Sequence, residues 1–139
     1  MSKQLMEYFN KQPRLGCMST SGKGGKVNVA CFGSPYMVDE KTVVMGISKN
    51  RTFENLQENP NAVFMIMEPG KTTAEWKGVR VYLTMKKYET SGEKLETIRA
   101  QIAQRAGEAA AKRVHAALTF EVGEVRPIID FGQGWEKSV

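Results

Sequence analysis

The sequence predicts an antiparallel β-barrel of the α+β class. Six segments read as strands, most of them are joined by short turns, and the helical segments are gathered between strands instead of alternating with them one for one. With 139 residues, 41% hydrophobic and 25% charged, the chain has the size and composition of one globular domain, 1–139, built on one core.

Met1 to Lys11 reads as a short helix, because Leu5, Met6 and Phe9 recur at helical spacing before Pro13 ends the pattern. Arg14 to Thr20 reads as a strand, and Val27 to Val38 as a longer one bent at Gly33 and Pro35. The stretch SGKGGK between them makes the pair a hairpin. With Lys23, Gly24 and Gly25 as the loop, and Gly25 left-handed, Cys17 falls opposite Cys31. Asp39 to Lys41 is a polar turn. Thr42 to Ile47 and Ala62 to Met67 are mostly apolar, so both are expected to be buried on two faces. Between them, Thr52 to Asn59 forms a short helix with Phe53 and Leu56 on one face and Asn59-Pro60 as its stop. Glu75 to Thr90 is the clearest strand: Val79, Val81, Leu83 and Met85 alternate with Arg80, Tyr82, Thr84 and Lys86. Ser91 is the expected N-cap of a helical segment from Gly92 to about His115, striped by Leu95, Ile98 and Ile102, with Gly107 a candidate break. Ala117 to Val125 is the sixth strand, followed by the tail RPIIDFGQGWEKSV.

Composition excludes several function classes. The net charge is +5, but the 20 Lys and Arg are interspersed with 15 Asp and Glu. The densest basic groups are the pairs Lys86-Lys87 and Lys112-Arg113, with no aromatic-interleaved stripe, so no nucleic-acid partner is expected. Apolar runs are too short to span a bilayer, and the polar N-terminal stretch is no leader, so the expected location is cytoplasmic. Two cysteines and the lone His115 offer no zinc quartet, and no metal is expected. For a cytoplasmic chain, Cys17 and Cys31 read as two buried thiols in preference to a redox disulfide.

One stretch concentrates ligand-binding groups: SKNRTFENLQENP, Ser48 to Pro60. The start of its helix directs free backbone N–H groups and a positive dipole end at whatever lies beyond Ser48 and Lys49. The Ser48 and Thr52 hydroxyls, the Lys49 ammonium, the forked Arg51 guanidinium and the Asn55 amide surround that point, a set suited to an anion. Spacing alone does not overturn the plainer reading, in which Ser48 or Asn50 simply caps a helix whose charges face water.

The order LGCMSTSG, VNVACFGSPYMVD, TVVMGIS, RTFENLQENP, HAALTFEV, from about Leu15 to Val125, resembles the FMN-binding split-barrel family, the pyridoxamine 5'-phosphate oxidase-like flavoproteins, and especially its small single-domain members. The resemblance implies a split barrel with peripheral helices and a homodimer with FMN at the subunit boundary. It implies that Arg51 and Thr52 hold the flavin phosphate, with Ser48, Lys49 and Asn55 as neighbours. The ring then lies along Asn28, Val29, Ala30, Cys31, Gly46 and Ile47, with Arg80 a further basic contact to the phosphate. Gly33 and Gly46 read either as close-approach points for the ring or as barrel bends. The implied activity is oxidoreduction with a small-molecule electron donor or acceptor, the flavin carrying the chemistry. The alternatives are a non-catalytic flavin carrier or sensor, or a deazaflavin- or haem-handling relative of the same fold.

Other signals are set aside. SGKGGK has Thr20 five positions before Gly25 and Val27 after its lysine, where a phosphate loop needs Gly and Ser or Thr. His115 has no paired nucleophile or carboxylate nearby in sequence, and no catalytic residue is assigned. The resemblance brings Arg113 and His115 toward the partner's flavin, and leaves Trp135 either covering the ring or packing on the barrel. Tyr36 and Trp76 read as packing residues. Pyridoxamine phosphate oxidation itself is disfavoured, because Arg126 stands almost alone where a second basic cluster would hold the substrate's phosphate.

Overall fold

A computed structural model describes residues 2–139. The SGKGGK stretch turns as its glycines dictate. Gly25 sits at φ 84°, where a side chain is disfavoured, and its N–H donates to the Gly22 carbonyl at 3.0 Å. This closes the hairpin between β1 (Gly16–Ser21) and β2 (Val27–Cys31). Its register sets Cys17 opposite Cys31 and Thr20 opposite Asn28, the first as the spacing predicts.

The expected single strand from Val27 to Val38 is two strands. β2 ends at Cys31, and Phe32–Pro35 carries the chain across to β3 (Tyr36–Asp39), which pairs with β4 (Thr42–Ile47) and not with β1. Pro35 has no N–H for a ladder. The Gly33 carbonyl instead accepts from Arg14 Nη2 at 2.9 Å, and Ser34 Oγ donates to the Gly46 carbonyl at 2.7 Å. The strand count is therefore seven where six were expected.

The remaining elements follow in order: α1 (Ser2–Asn10) at the start, then α2 (Arg51–Glu58), β5 (Asn61–Glu68), β6 (Lys77–Glu89), α3 (Glu93–Ala106), α4 (Glu108–Lys112) and β7 (Ala116–Pro127). Met1, included in the expected first helix, lies outside the described residues. Every pairing is antiparallel, in the order β2-β1-β5-β6-β7-β4-β3. The two edge strands are consecutive in the chain. The Ser34 bond to β4 and the Phe32 N–H bond to the Gly16 carbonyl of β1 hold the crossing to the strand next to each edge, giving a split barrel with peripheral helices.

Alternation along the strands fills the interior. Met18, Phe64, Val81 and Phe120 are fully buried, α1 contributes Phe9, whose ring lies 5.4 Å from that of Phe64, and α2 contributes Phe53 and Leu56. Truncating a buried phenylalanine of this kind costs about 3–5 kcal/mol. A second cluster, Leu95, Ile98, Val114 and Ala117 with Val44 and Ile102, packs α3 on the outside of β4 and β7. Thus β4 is covered on both faces as expected. β5 is not: Ala62, Phe64 and Ile66 are buried, while Val63, Met65 and Met67 are half-buried on the outer face. Gly107, at φ 92°, divides the long helical segment as anticipated. The cap before α3 is Gly92 and not Ser91, because that position takes φ 110°, which glycine adopts without strain.

Candidate functional site

α2 begins just after β4 leaves the sheet, and Asn50 is its cap. Its Oδ1 accepts the Phe53 N–H at 2.9 Å and its carbonyl accepts the Glu54 N–H at 3.0 Å. Ser48 supports the cap, accepting from Asn50 Nδ2 at 3.3 Å. Among the described residues, the Arg51 and Thr52 N–H groups have no partner, so two donors and the positive end of the helix dipole remain for a ligand. Lys49 and Arg51 are exposed and enter no ion pair among the described residues.

The side chains expected beside them divide. Thr52 is 1% exposed and its Oγ1 lies 3.5 Å from Asn28 Nδ2, while Asn55 Nδ2 donates to Thr20 Oγ1 at 3.1 Å. These groups lock α2 onto β1 and β2, leaving Thr52 to offer only its backbone N–H. A cleft of about 260 Å³ opens beside this lock, lined by Asn28, Arg51 and Asn55 together with Lys26, Glu54 and Glu58. Lys26 was not anticipated. Its signal was the last lysine of SGKGGK, a loop rightly read as a hairpin but not followed to where its end points.

A larger cleft of about 590 Å³ lies at the other end of β2, where the crossing segment meets β4 and the α3–α4 pair. Cys31, Gly46, Ile47 and Ser48 line it, with Arg105 and Arg113 on the helical side and no Asp or Glu in its wall. Behind it Arg14 stacks over the Phe9 and Phe64 rings, and burial, reinforced by the charge of Arg105, lowers its guanidinium to about 10. A strand advances about 3.3 Å per residue, so Asn28 in one cleft and Cys31 in the other are roughly 10 Å apart along β2. Between them, Val29 is 62% exposed on the outer face and Ala30 is half-buried.

Three expected contributors have other roles. Arg80 lines neither cleft: its Nη2 pairs with Asp130, its Nε donates to the Pro127 carbonyl at 3.1 Å and its Nη1 to the Tyr82 hydroxyl at 3.3 Å. A Cβ on Gly46 would lie 2.7 Å from Ile98 and 3.0 Å from Val114, so helix packing itself requires this glycine. His115 lies edge-on to Phe53 at 5.5 Å and lines neither cleft, whereas Arg113 does line the larger one. Trp135 packs against the barrel core, and Tyr36 is 50% exposed on the edge strand.

Both cysteines are free; Cys17 is buried but Cys31 is exposed, against the expectation of two buried thiols. Among the described residues no cluster of three His, Cys, Asp or Glu is placed to hold a metal, and no helix is long and apolar enough to cross a membrane. The chain thus carries a donor-rich point beside Lys49 and Arg51 at the start of α2 and, at the other end of β2, a wider cleft with an apolar wall and Arg105 and Arg113 at its rim.

Residues 2–128 match the family model described as pyridoxamine 5'-phosphate oxidase. No curated protein matches the sequence. Among solved structures, an FMN-binding protein from Syntrophomonas wolfei subsp. wolfei superposes with a TM-score of 0.77 at 19% identity, covering 92% of this chain and 84% of that one. HutZ, the heme storage protein from Vibrio cholerae, gives 0.65 at 19% over 95% and 96%. An F420 reductase gives 0.65 at 13% over 86% and 94%. At these identities the likeness to the solved structures is one of fold.

Proposed function

The chain belongs to the pyridoxamine 5'-phosphate oxidase family, and from that premise we propose that it binds FMN and acts as an oxidoreductase, as a homodimer with the flavin at the subunit boundary. The observation that carries this reading is the start of α2, where the Arg51 and Thr52 N–H groups and the Arg51 and Lys49 side chains, all without a partner among the described residues, stand together. A phosphate satisfies both donors and both charges at once. Ser48 and Asn28 add polar groups around it. From there the run of β2 toward Cys31, Gly46 and Ile47 offers backbone groups and a partly apolar wall of the length that the ribityl chain and ring require. When bound, the flavin supplies the electron transfer; these residues supply position and charge.

A second copy of the chain has a surface to cover. Val27 is 80% exposed and Val29 62%, side by side on the outer face of the edge strand β2, and Leu15, at 52%, precedes its neighbour β1. Burying them returns roughly 25 cal/mol per Å² of apolar area removed from water. The haem-handling alternative has less support, because His115 is the only imidazole in the chain and lines neither cleft.

Titration of the purified protein with FMN is expected to show saturable quenching of flavin fluorescence at one flavin per subunit, with riboflavin binding much more weakly. Equal affinity for the two would refute the phosphate assignment. Anaerobic reduction of the bound flavin by NADH or NADPH, followed by turnover with an acceptor, separates an oxidoreductase from a carrier.

A further inference from the structure

Binding of a flavin makes no use of the Cys17 and Cys31 thiols as a pair, yet the hairpin places them face to face. Opposed residues in an antiparallel ladder alternate between pairs that exchange both backbone bonds and pairs that exchange none. The Phe32 N–H donates to the Gly16 carbonyl at 3.1 Å. Phe32 follows Cys31 and Gly16 precedes Cys17, so this bond flanks the cysteines and makes theirs a non-exchanging pair. Cα atoms in such a pair stand about 4.5 Å apart, within the range of roughly 4.4–6.8 Å that a disulfide spans. The side chains leave the same face, since the intervening positions Met18 and Thr20 point into the barrel and under α2.

The two thiols differ in a way that assigns them roles. Cys31 is exposed at the end of the edge strand, beyond the Val27 and Val29 face, and is reached through the larger cleft, which it lines, when no flavin fills that cleft. Cys17 is buried next to it, and burial, with the neighbouring thiol, pushes it up. An external disulfide therefore meets Cys31 first and Cys17 second.

We propose that Cys17 and Cys31 form a reversible dithiol site that exchanges with small-molecule disulfides of the glutathione type. The Cys31 thiolate attacks one sulfur of the external disulfide, whose S–S bond breaks and releases one thiolate, leaving a mixed disulfide on Cys31. Cys17, its proton given to solvent, attacks Cys31 Sγ and expels the second thiolate. Each expelled thiolate takes up one of the two protons lost by the cysteines. The pair is oxidised by two electrons, the external disulfide is reduced to two thiols, and β2 becomes covalently joined to β1 beside the cleft.

The native protein, equilibrated without flavin in glutathione buffers of graded ratio, quenched with an alkylating reagent and weighed intact, tests this. The expected result is one transition from doubly alkylated to unalkylated protein with loss of two hydrogens, and a linked peptide pair containing Cys17 and Cys31. Reduction with dithiothreitol should restore both thiols. In Cys17→Ser, Cys31 should accumulate as the glutathione mixed disulfide; in Cys31→Ser, Cys17 should stay reduced. Two alkylated thiols at the oxidising end, a glutathione adduct on wild-type Cys31 with Cys17 still alkylated, or Cys31-linked dimers in place of the internal bond would each overturn the proposal. No arm depends on FMN, so its failure is distinct from failure of the flavin reading.

Discussion

Two arginine-bearing regions of this barrel put their charge to different ends. At the start of α2, Arg51 is exposed and unpaired among the described residues, beside backbone donors that also lack partners. At the far end of β6, Arg80 and Arg126 converge on Asp130, whose carboxylate also takes the Gly132 N–H, while Glu124 holds the other side of Arg126. The first region leaves its cation unpaired among the described residues; the second supplies its own anion. A basic residue on a barrel strand thus says little about ligands until its partner is known, and here that partner is fifty residues away in the tail for Arg80.

Substitutions can break or sharpen this contrast. Arg51→Ala should give the largest effect, weakening FMN by about 1.5–3 kcal/mol, or roughly 10- to 150-fold, through loss of a charge-assisted contact. Arg80→Ala should leave the same fluorescence titration unchanged; a comparable loss there would erase the distinction. Asn50→Ala removes the cap that frames the open donors and should cost about 1 kcal/mol of stability in urea unfolding, with FMN binding weakened alongside. Arg80→Ala should destabilise by roughly 0.5–1 kcal/mol in the same assay, because its pair with Asp130 retains some solvent access, with side chains 27% and 18% exposed.

The subtlest expectation concerns acid. Hydrogen bonds from Arg126 and from the Gly132 N–H hold the Asp130 carboxyl below the ordinary carboxylate range. A carboxyl lowered in the folded state contributes stability that is complete above its unfolded value and is lost as pH falls through its folded value. The thermal midpoint should therefore be insensitive to Asp130 ionisation near neutrality and fall in acid. Asp130→Asn should lower the neutral midpoint and flatten part of that fall, without altering FMN binding at neutral pH.

Much of this was legible locally. The hairpin, the Cys17–Cys31 register, the break at Gly107 and the bounds of α2 to within one residue all follow from short-range signals: a left-handed glycine, a helical stripe, an Asn-Pro stop. What escaped was decided at a distance. Phe32–Pro35 reads as a bend until β3 is seen to pair with β4. Gly46 reads as a close-approach point or a barrel bend until Ile98 and Val114 are seen packed against it, and Arg80 as free until Asp130 arrives. The candidate site was partly readable because its helix start is a local feature; Lys26 and Arg105 were missed because only the folded chain brings them to the clefts.

The crossing segment has a consequence in simple lengths. Laid flat, seven strands about 4.8 Å apart would put β2 and β3 roughly 29 Å from each other. From Cys31 to Tyr36 the chain has only Phe32–Pro35 with which to span that gap, a tether of about 18 Å at full extension. The sheet is thus forbidden to lie flat whatever its side chains prefer. The seam where its margins meet, with the larger cleft at its mouth, is imposed by the shortness of that tether.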